Sequence, residues 1–261
     1  MKDFADWCRG FGYEISTEQL WQFECFKKNL LEWNARMNLT AITDDVGIWQ
    51  KHFADSLTLL PLLPLKEQSA KLRMIDVGCG AGFPGLPIKI MRADIEITML
   101  DSLRKRIFFL EDTVKLLGLE NIECVHARAE DFVKVASLTK KAKKAKKASL
   151  AKKASLAKKA SVAKKASVAK KAAGGSSAAG AYDICTARAV ARLDKLCSWC
   201  LPFLAPGGLF FAMKGPQVEN EVKEAEPFIR RIGGEVLETR YFEIVPGLVH
   251  SVVVVCYNSS N

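Results

Sequence analysis

The chain has 261 residues, about half of them hydrophobic, and a formal net charge of +10. That length allows one substantial core with a small appendage. The N-terminal "MKDFADWCRGFG" carries acids and no unbroken apolar run, and the longest apolar stretch, "LTLLPLLPL", is too short to span a bilayer, so neither an export signal nor a membrane span is expected and the reading is a cytoplasmic, soluble protein.

Residues 1–65 are predicted to form a helical cap. "TEQLWQFECFKKNLLEWNARMN" repeats apolar residues at helical spacing, and Thr17, Glu18 and Gln19 suit a helix start. Its aromatic residues read as core.

Residues 66–261 are predicted to form the main α/β domain. Strand patterns at Leu72–Val77, Glu96–Asp101, Ile122–His126, Tyr182–Ala187, Leu209–Lys214, Val236–Tyr241 and Ser251–Tyr257 alternate early on with helical stretches such as "RKRIFFLEDTVKLLG". Such alternation predicts a doubly wound, mostly parallel sheet covered on both faces. The last two strands are joined only by a loop with Pro246 and Gly247, which predicts an antiparallel pair at one edge. By analogy of fold, this is the Rossmann-like arrangement of class I methyltransferases.

Between the third and fourth strands, residues 137–180 hold a low-complexity insertion in which "SLAKKA SLAKKA SVAKKA SVAKKA" repeats. A period of six advances a helix by about 240° beyond a full turn, so Leu150, Leu156, Val162 and Val168 form no single stripe. Residues 140–171 contain 14 lysines and no acid, which leaves 10 − 14 = −4 for the rest of the chain. Bulk charge is therefore no argument that the folded part binds nucleic acid. The insertion reads either as a tolerated surface loop or as a polybasic arm that strengthens RNA binding through counterion release.

Eight cysteines lie scattered through apolar segments and read as reduced, buried thiols. Cys197 and Cys200 form a lone C-x-x-C with no second pair to complete a tetrahedral site, so no metal is expected.

The chemistry centres on "MIDVGCGAGFPGLPIKI", residues 74–90, a strand running through a glycine-rich turn into a helix. Gly78, Gly80 and Gly82 give G-x-G-x-G, which suits S-adenosylmethionine; Gly80, Gly82 and Gly85 give the G-x-G-x-x-G of dinucleotide sites. Asp101, ending the second strand, can accept hydrogen bonds from the ribose of either ligand. Asp76 separates them better. A carboxylate there would repel a pyrophosphate but favours the ammonium and sulfonium of S-adenosylmethionine. Ala129 and Glu130, after the third strand, are candidates for the adenine edge.

Methyl transfer is an in-line displacement that mainly requires alignment. The segment after the fourth strand, "TARAVARL", lacks the Asp/Asn-Pro-Pro-aromatic pattern of amino-group methylation, and the chain has no Pro-Cys dipeptide for pyrimidine carbon-5. Guanine N7 already has a free lone pair and loses no proton. Arg188 and Arg192 after the fourth strand, Lys214 ending the fifth, and Arg104 and Arg106 opening the helix after Asp101 are candidates to hold phosphates or the cofactor.

"DVGCGAGFPGLPI", "LLEWNARMNLTAI", "KHFADSL", "LDSLRKRIFFLE", "RAED", "TARAVARL" and "MKGPQVENE" together resemble the bacterial RsmG (GidB) family. The resemblance implies N7 methylation of a guanosine in the decoding region of 16S ribosomal RNA, with S-adenosylmethionine as donor and the rRNA or small ribosomal subunit as partner. It also implies cofactor contacts at Gly78, Gly80, Phe83, Asp101, Ala129, Glu130 and Arg188, with the RNA as the alternative partner of Arg188. His52, Asp55 and Ser56 match a further motif, with His52 either lining the site or packed in the core. The chain departs from the family in its lysine repeat and at "LVHSVVVVCYNSSN", where the family usually has an arginine before its last strand and a lysine after it. A methyltransferase of a small molecule or protein, and a nonenzymatic RNA-binding protein acting through the lysine arm, are the competing readings.

Overall fold

The computed structural model describes residues 2–64, 71–133, 180–188 and 191–258. The lysine-rich insertion and both of its readings fall outside these residues.

Seven strands, β1 Arg73–Val77, β2 Glu96–Asp101, β3 Ile122–His126, β4 Tyr182–Arg188, β5 Leu204–Lys214, β6 Gly234–Val245 and β7 Leu248–Tyr257, form one sheet in the order β3-β2-β1-β4-β5-β7-β6. β3 to β5 pair in parallel around β1, whereas β7 runs antiparallel to both β5 and β6. The last strand therefore inserts between β5 and β6, because the short turn at Pro246 and Gly247, the glycine at φ +82°, folds it straight back along β6. This is the class I Rossmann-like sheet that the strand pattern predicts. β5 begins five residues earlier than the sequence pattern suggests, through an Ala-Pro-Gly-Gly stretch with no apolar alternation to mark it.

Strand alternation divides the core in two. Met74, Ile97, Met99, Phe211 and Val254 face one side, and Ile75, Leu100, Phe210, Ala212 and Val255 face the other. The second side is covered by α5 Leu193–Cys200 and α6 Glu219–Arg231, whose Leu196, Cys197, Ala225 and Ile229 are buried there. The first is covered by α3 Gly85–Met91, α4 Arg104–Leu116 and the N-terminal helices α1 Lys2–Gly10 and α2 Thr17–Met37. Ser16 caps α2 by a reciprocal pair of hydrogen bonds with Gln19, one residue before the start read from the sequence.

The aromatic residues of the N-terminal helices are core. Phe4, Phe23, Phe26, Trp49 and Phe53 are buried and pack on one another in tilted and edge-to-face pairs, and Phe26 stacks on Phe83 in the glycine turn, 5.1 Å away. The helical cap and the turn thus share one hydrophobic cluster. A feature the sequence does not announce lies between them: Ile48–Ala54 is a π-helix, closed by the Asp55 N–H donating to the Gln50 carbonyl five residues back. No helix among the described residues is long and apolar enough to cross a membrane.

Candidate functional site

The glycine turn leaves the carboxyl end of β1, the middle one of the five parallel strands, where an open parallel sheet presents its ligand crevice. Gly78, Gly80 and Gly82 adopt φ of +71°, +56° and +92°, a run of left-handed backbone that side chains disfavour. Two carboxylates brace the turn from below. Asp76 is fully buried and its Oδ2 accepts the Gly85 N–H at 2.9 Å, while Asp101 Oδ2 accepts the Gly80 N–H at 3.0 Å. Asp101 Oδ1 accepts the Leu103 N–H at 2.8 Å, and the Arg106 guanidinium lies 3.2 Å from Oδ2, tying the β2 end to the start of α4.

Asp76 is also incomplete. Its Oδ1 is buried with no hydrogen-bond partner, as is Oγ1 of Thr186, its neighbour in register on β4. Burial pushes the Asp76 carboxyl up to about 7, against a lowering by the Gly85 N–H and by the Thr186 hydroxyl, whose approach to the carboxylate falls short of a well-aligned hydrogen bond. A buried carboxylate so loosely paired favours a cationic or hydrogen-bonding group near the turn above it. The ammonium of S-adenosylmethionine has that chemistry, and a dinucleotide pyrophosphate does not.

Beside the turn, a cavity of about 320 Å³ opens between the ends of β1, β2 and β3. Four sequence candidates meet on its wall: Gly78, Asp101, Ala129 and Glu130. Lys195 and Trp199 close it from α5, with the Lys195 ammonium 5.0 Å from the Trp199 ring. Sequence reasoning missed both. Their i, i+4 spacing within "KLCSWC" was the available signal, obscured by the two cysteines of the same helix. Among the described residues there is no cluster of three metal-ligating side chains, and Cys197 and Cys200 are buried free thiols.

A second group of candidates assembles on the cap side of the turn. Phe83 is buried between Phe26 and the His52 ring, which lies face to face with it, centroids 4.4 Å apart and planes 14° apart. The Arg188 guanidinium sits over Phe83 at 5.0 Å. One of its Nη1 hydrogen bonds reaches Asp55 Oδ2 at 2.9 Å and another the Lys51 carbonyl at 3.2 Å, while Nη2 lies 3.3 Å from His52 Nδ1. Because arginine only donates, His52 Nδ1 accepts there and Nε2 donates to Thr40 Oγ1 at 2.8 Å. Burial, with the Arg188 charge adding to it, lowers the His52 pKa to about 4, so the ring is neutral at pH 7. His52 is thus packed in the core, against Phe83 and the Arg188 guanidinium.

Asp55 is the acid of this group. Its Oδ1 lies 2.7 Å from His250 Nδ1, off the line of the ring N–H, and the far His250 nitrogen lies 3.1 Å from Thr58 Oγ1. Burial opposes ionisation of Asp55, but His250 and Arg188 outweigh it and hold the carboxyl below its usual range. His250 comes from β7, at the point where the sequence departs from its resemblance, and was not a site candidate.

The remaining basic candidates stand apart from these two groups. Arg104 lies over the exposed Phe108 ring at 5.8 Å. Arg192 is exposed and pairs with Glu224 at 2.7 Å. Lys214 is largely buried, donating to the Ala191 carbonyl and pairing with Glu221, both at 2.8 Å, which clamps the segment after β4 against α6.

Comparison with known proteins supplies a name for this arrangement. The family model described as rRNA small subunit methyltransferase G matches residues 19–145 and 143–244. A protein called ribosomal RNA small subunit methyltransferase G from Clostridium botulinum (strain 657) is 36% identical over 249 residues, covering 95% of this chain and 86% of its own length. The protein of the same name from Clostridium beijerinckii is 38% identical, covering 94% of this chain and 84% of its own. Among solved structures, the [4+2]-cyclase SpnF superposes with a TM-score of 0.52 at 13% identity over 95% of this chain and 98% of that one, a likeness of fold alone. The chain belongs to the rRNA small subunit methyltransferase G family.

Proposed function

We propose that this protein transfers a methyl group from S-adenosylmethionine to N7 of a guanosine in 16S ribosomal RNA, with residues 1–65 acting as a cap on a cofactor-binding domain of residues 66–261. The observation that carries the reading is a glycine turn with a buried carboxylate beneath it beside a cap-side group in which, among the described residues, neither His52 nor Asp55 is free to remove a proton. His52 has its Nδ1 taken up by Arg188, and Asp55 is held between Arg188 and His250. Guanine N7 attacks through a lone pair it already has, so such a site suffices for it, whereas an exocyclic amine or carbon-5 acceptor needs a base or a thiolate.

Bound S-adenosylmethionine supplies an electrophilic methyl on a sulfonium. In this reading the chain's own residues orient and desolvate. Asp76, beneath the turn, supplies the negative charge that favours the donor's ammonium, Gly78, Gly80 and Gly82 let the backbone approach its methionine portion, and Asp101 holds the ribose. Ala129 and Glu130 meet the adenine edge, with Trp199 closing the cavity. Phe83 supports the turn from beneath, and Arg188 above it takes an RNA phosphate, leaving the guanine N7 edge open. Arg104, Arg106 and Arg192 lend charge to the surrounding RNA surface, and Lys214 positions the segment after β4.

The test is transfer of labelled methyl from the donor to small subunits, naked 16S rRNA, protein or metabolites, followed by nuclease digestion and identification of the labelled nucleoside. Label in 7-methylguanosine supports the proposal. Label confined to protein or a metabolite overturns it in favour of a different acceptor.

A further inference from the structure

The joint between cap, sheet and glycine turn contains an element that the reading above does not use. Asp55 is buried, and its two carboxylate oxygens face two different elements: Oδ2 receives Arg188 from β4 at 2.9 Å, and Oδ1 faces His250 from β7 at 2.7 Å. The π-helix makes this possible. Its wider turn delivers the Lys51 carbonyl, the His52 ring and the Asp55 carboxylate together to one guanidinium.

A guanidinium has five N–H donors in a rigid plane, and contacts along one edge fix the orientation of the rest. Three of the Arg188 donors are engaged by Asp55, Lys51 and His52, and its face rests on Phe83. The side chain still keeps 18% of its surface exposed, so it is not sealed in the core. A lone hydrogen bond would let an arginine swing; three contacts, from a buried carboxylate, a carbonyl and a ring nitrogen, do not.

We infer that Asp55 is the positioning residue for Arg188: buried against His250, it fixes the guanidinium over Phe83 so that the N–H groups left unengaged meet the RNA when the target guanosine reaches the donor. The inference rests on the rRNA-methylation reading. Asp55 touches neither donor nor acceptor in it and acts only through Arg188.

The test is a double-mutant cycle on the full-length protein with its RNA substrate at saturating donor. Asp55→Asn keeps the side chain's shape and removes its charge, and Arg188→Gln removes the guanidinium. Each should lower kcat/KM for RNA by on the order of 10–100-fold, the scale of a misplaced orienting group. The double variant should be no worse than Arg188→Gln, since removing the tether of an absent group costs nothing further. Binding of the demethylated donor, measured by calorimetry, and the melting temperature report whether the variants fold. Additive losses, or an Asp55→Asn variant as active as the unaltered protein, overturn the inference while leaving the reaction in place. Arg188→Lys gives an independent check should Asp55→Asn not fold. It keeps the charge but not the planar fork, so it should fall with Arg188→Gln, and full activity in it overturns the inference. An unaltered protein that methylates no RNA overturns the underlying reading, and this inference with it.

Discussion

Phe83 and His52 lie ring against ring, 4.4 Å between centroids, although one belongs to the glycine turn and the other to the π-helix 31 residues earlier. Phe26 packs on Phe83 as well, so the glycine turn is held from beneath by the aromatic core of the N-terminal helices. Phe83→Ala should therefore act on stability and cofactor binding together. The expected loss is about 3–5 kcal/mol of folding free energy, read from denaturant unfolding, with weaker binding of the demethylated donor. An unchanged affinity in a clearly destabilised variant would separate turn from cap.

Stability should also carry the signature of His52. Its folded pKa is depressed to about 4 from a model-peptide value of 6.5. Between those values the unfolded chain binds the extra proton, so His52 contributes stability that is present above pH 6.5 and lost as pH falls toward 4. His52→Gln should flatten the pH dependence of the melting temperature in that window, and the same slope in both proteins would contradict the assignment.

Asp76 has the opposite sign. Its folded pKa is raised to about 7 from 3.8, so in the protein without ligand its contribution is favourable below pH 3.8 and is lost as pH rises through 7. A bound ammonium above the turn favours the ionised form. Affinity for the donor should accordingly rise as pH increases from 6 to 8, with proton release on binding, measured by calorimetry in buffers of different ionisation enthalpy. Asp76→Asn should weaken binding and remove that proton release; an equal release from the variant would place the titrating group elsewhere.

Gly85 has no left-handed φ, yet it cannot carry a side chain without movement. A Cβ there would lie 2.5 Å from Met99 Sδ and 2.9 Å from Asp76 Oδ2. Gly85→Ala should destabilise the protein by about 1–3 kcal/mol and lower donor affinity by displacing the carboxylate that its N–H holds. Thermal unfolding and calorimetry on one preparation check both.

The sheet and the glycine turn were legible because their signals are local. β2 and β3 have the bounds that the apolar pattern predicts, and Asp76, Gly78 and Asp101 announce themselves by position relative to strand ends. The cap-side group was legible only in pieces. Asp55 and His52 stand in one motif and Arg188 in another, but nothing local says that a π-turn brings them to the same guanidinium. His250 was hidden for a related reason: its partner lies 195 residues away on another element, and the flanking valines read simply as strand. Trp199 and Lys195 belong to the cavity through the packing of α5 against the strand ends, which helical periodicity alone does not reveal.

The central claim is tested most directly by mapping 7-methylguanosine along 16S rRNA, by chemical cleavage at the modified base, in cells with and without this protein. The account predicts one modified guanosine that vanishes when the protein is removed and returns with the unaltered chain but not with Asp76→Asn. An identical modification map in both cells would contradict it.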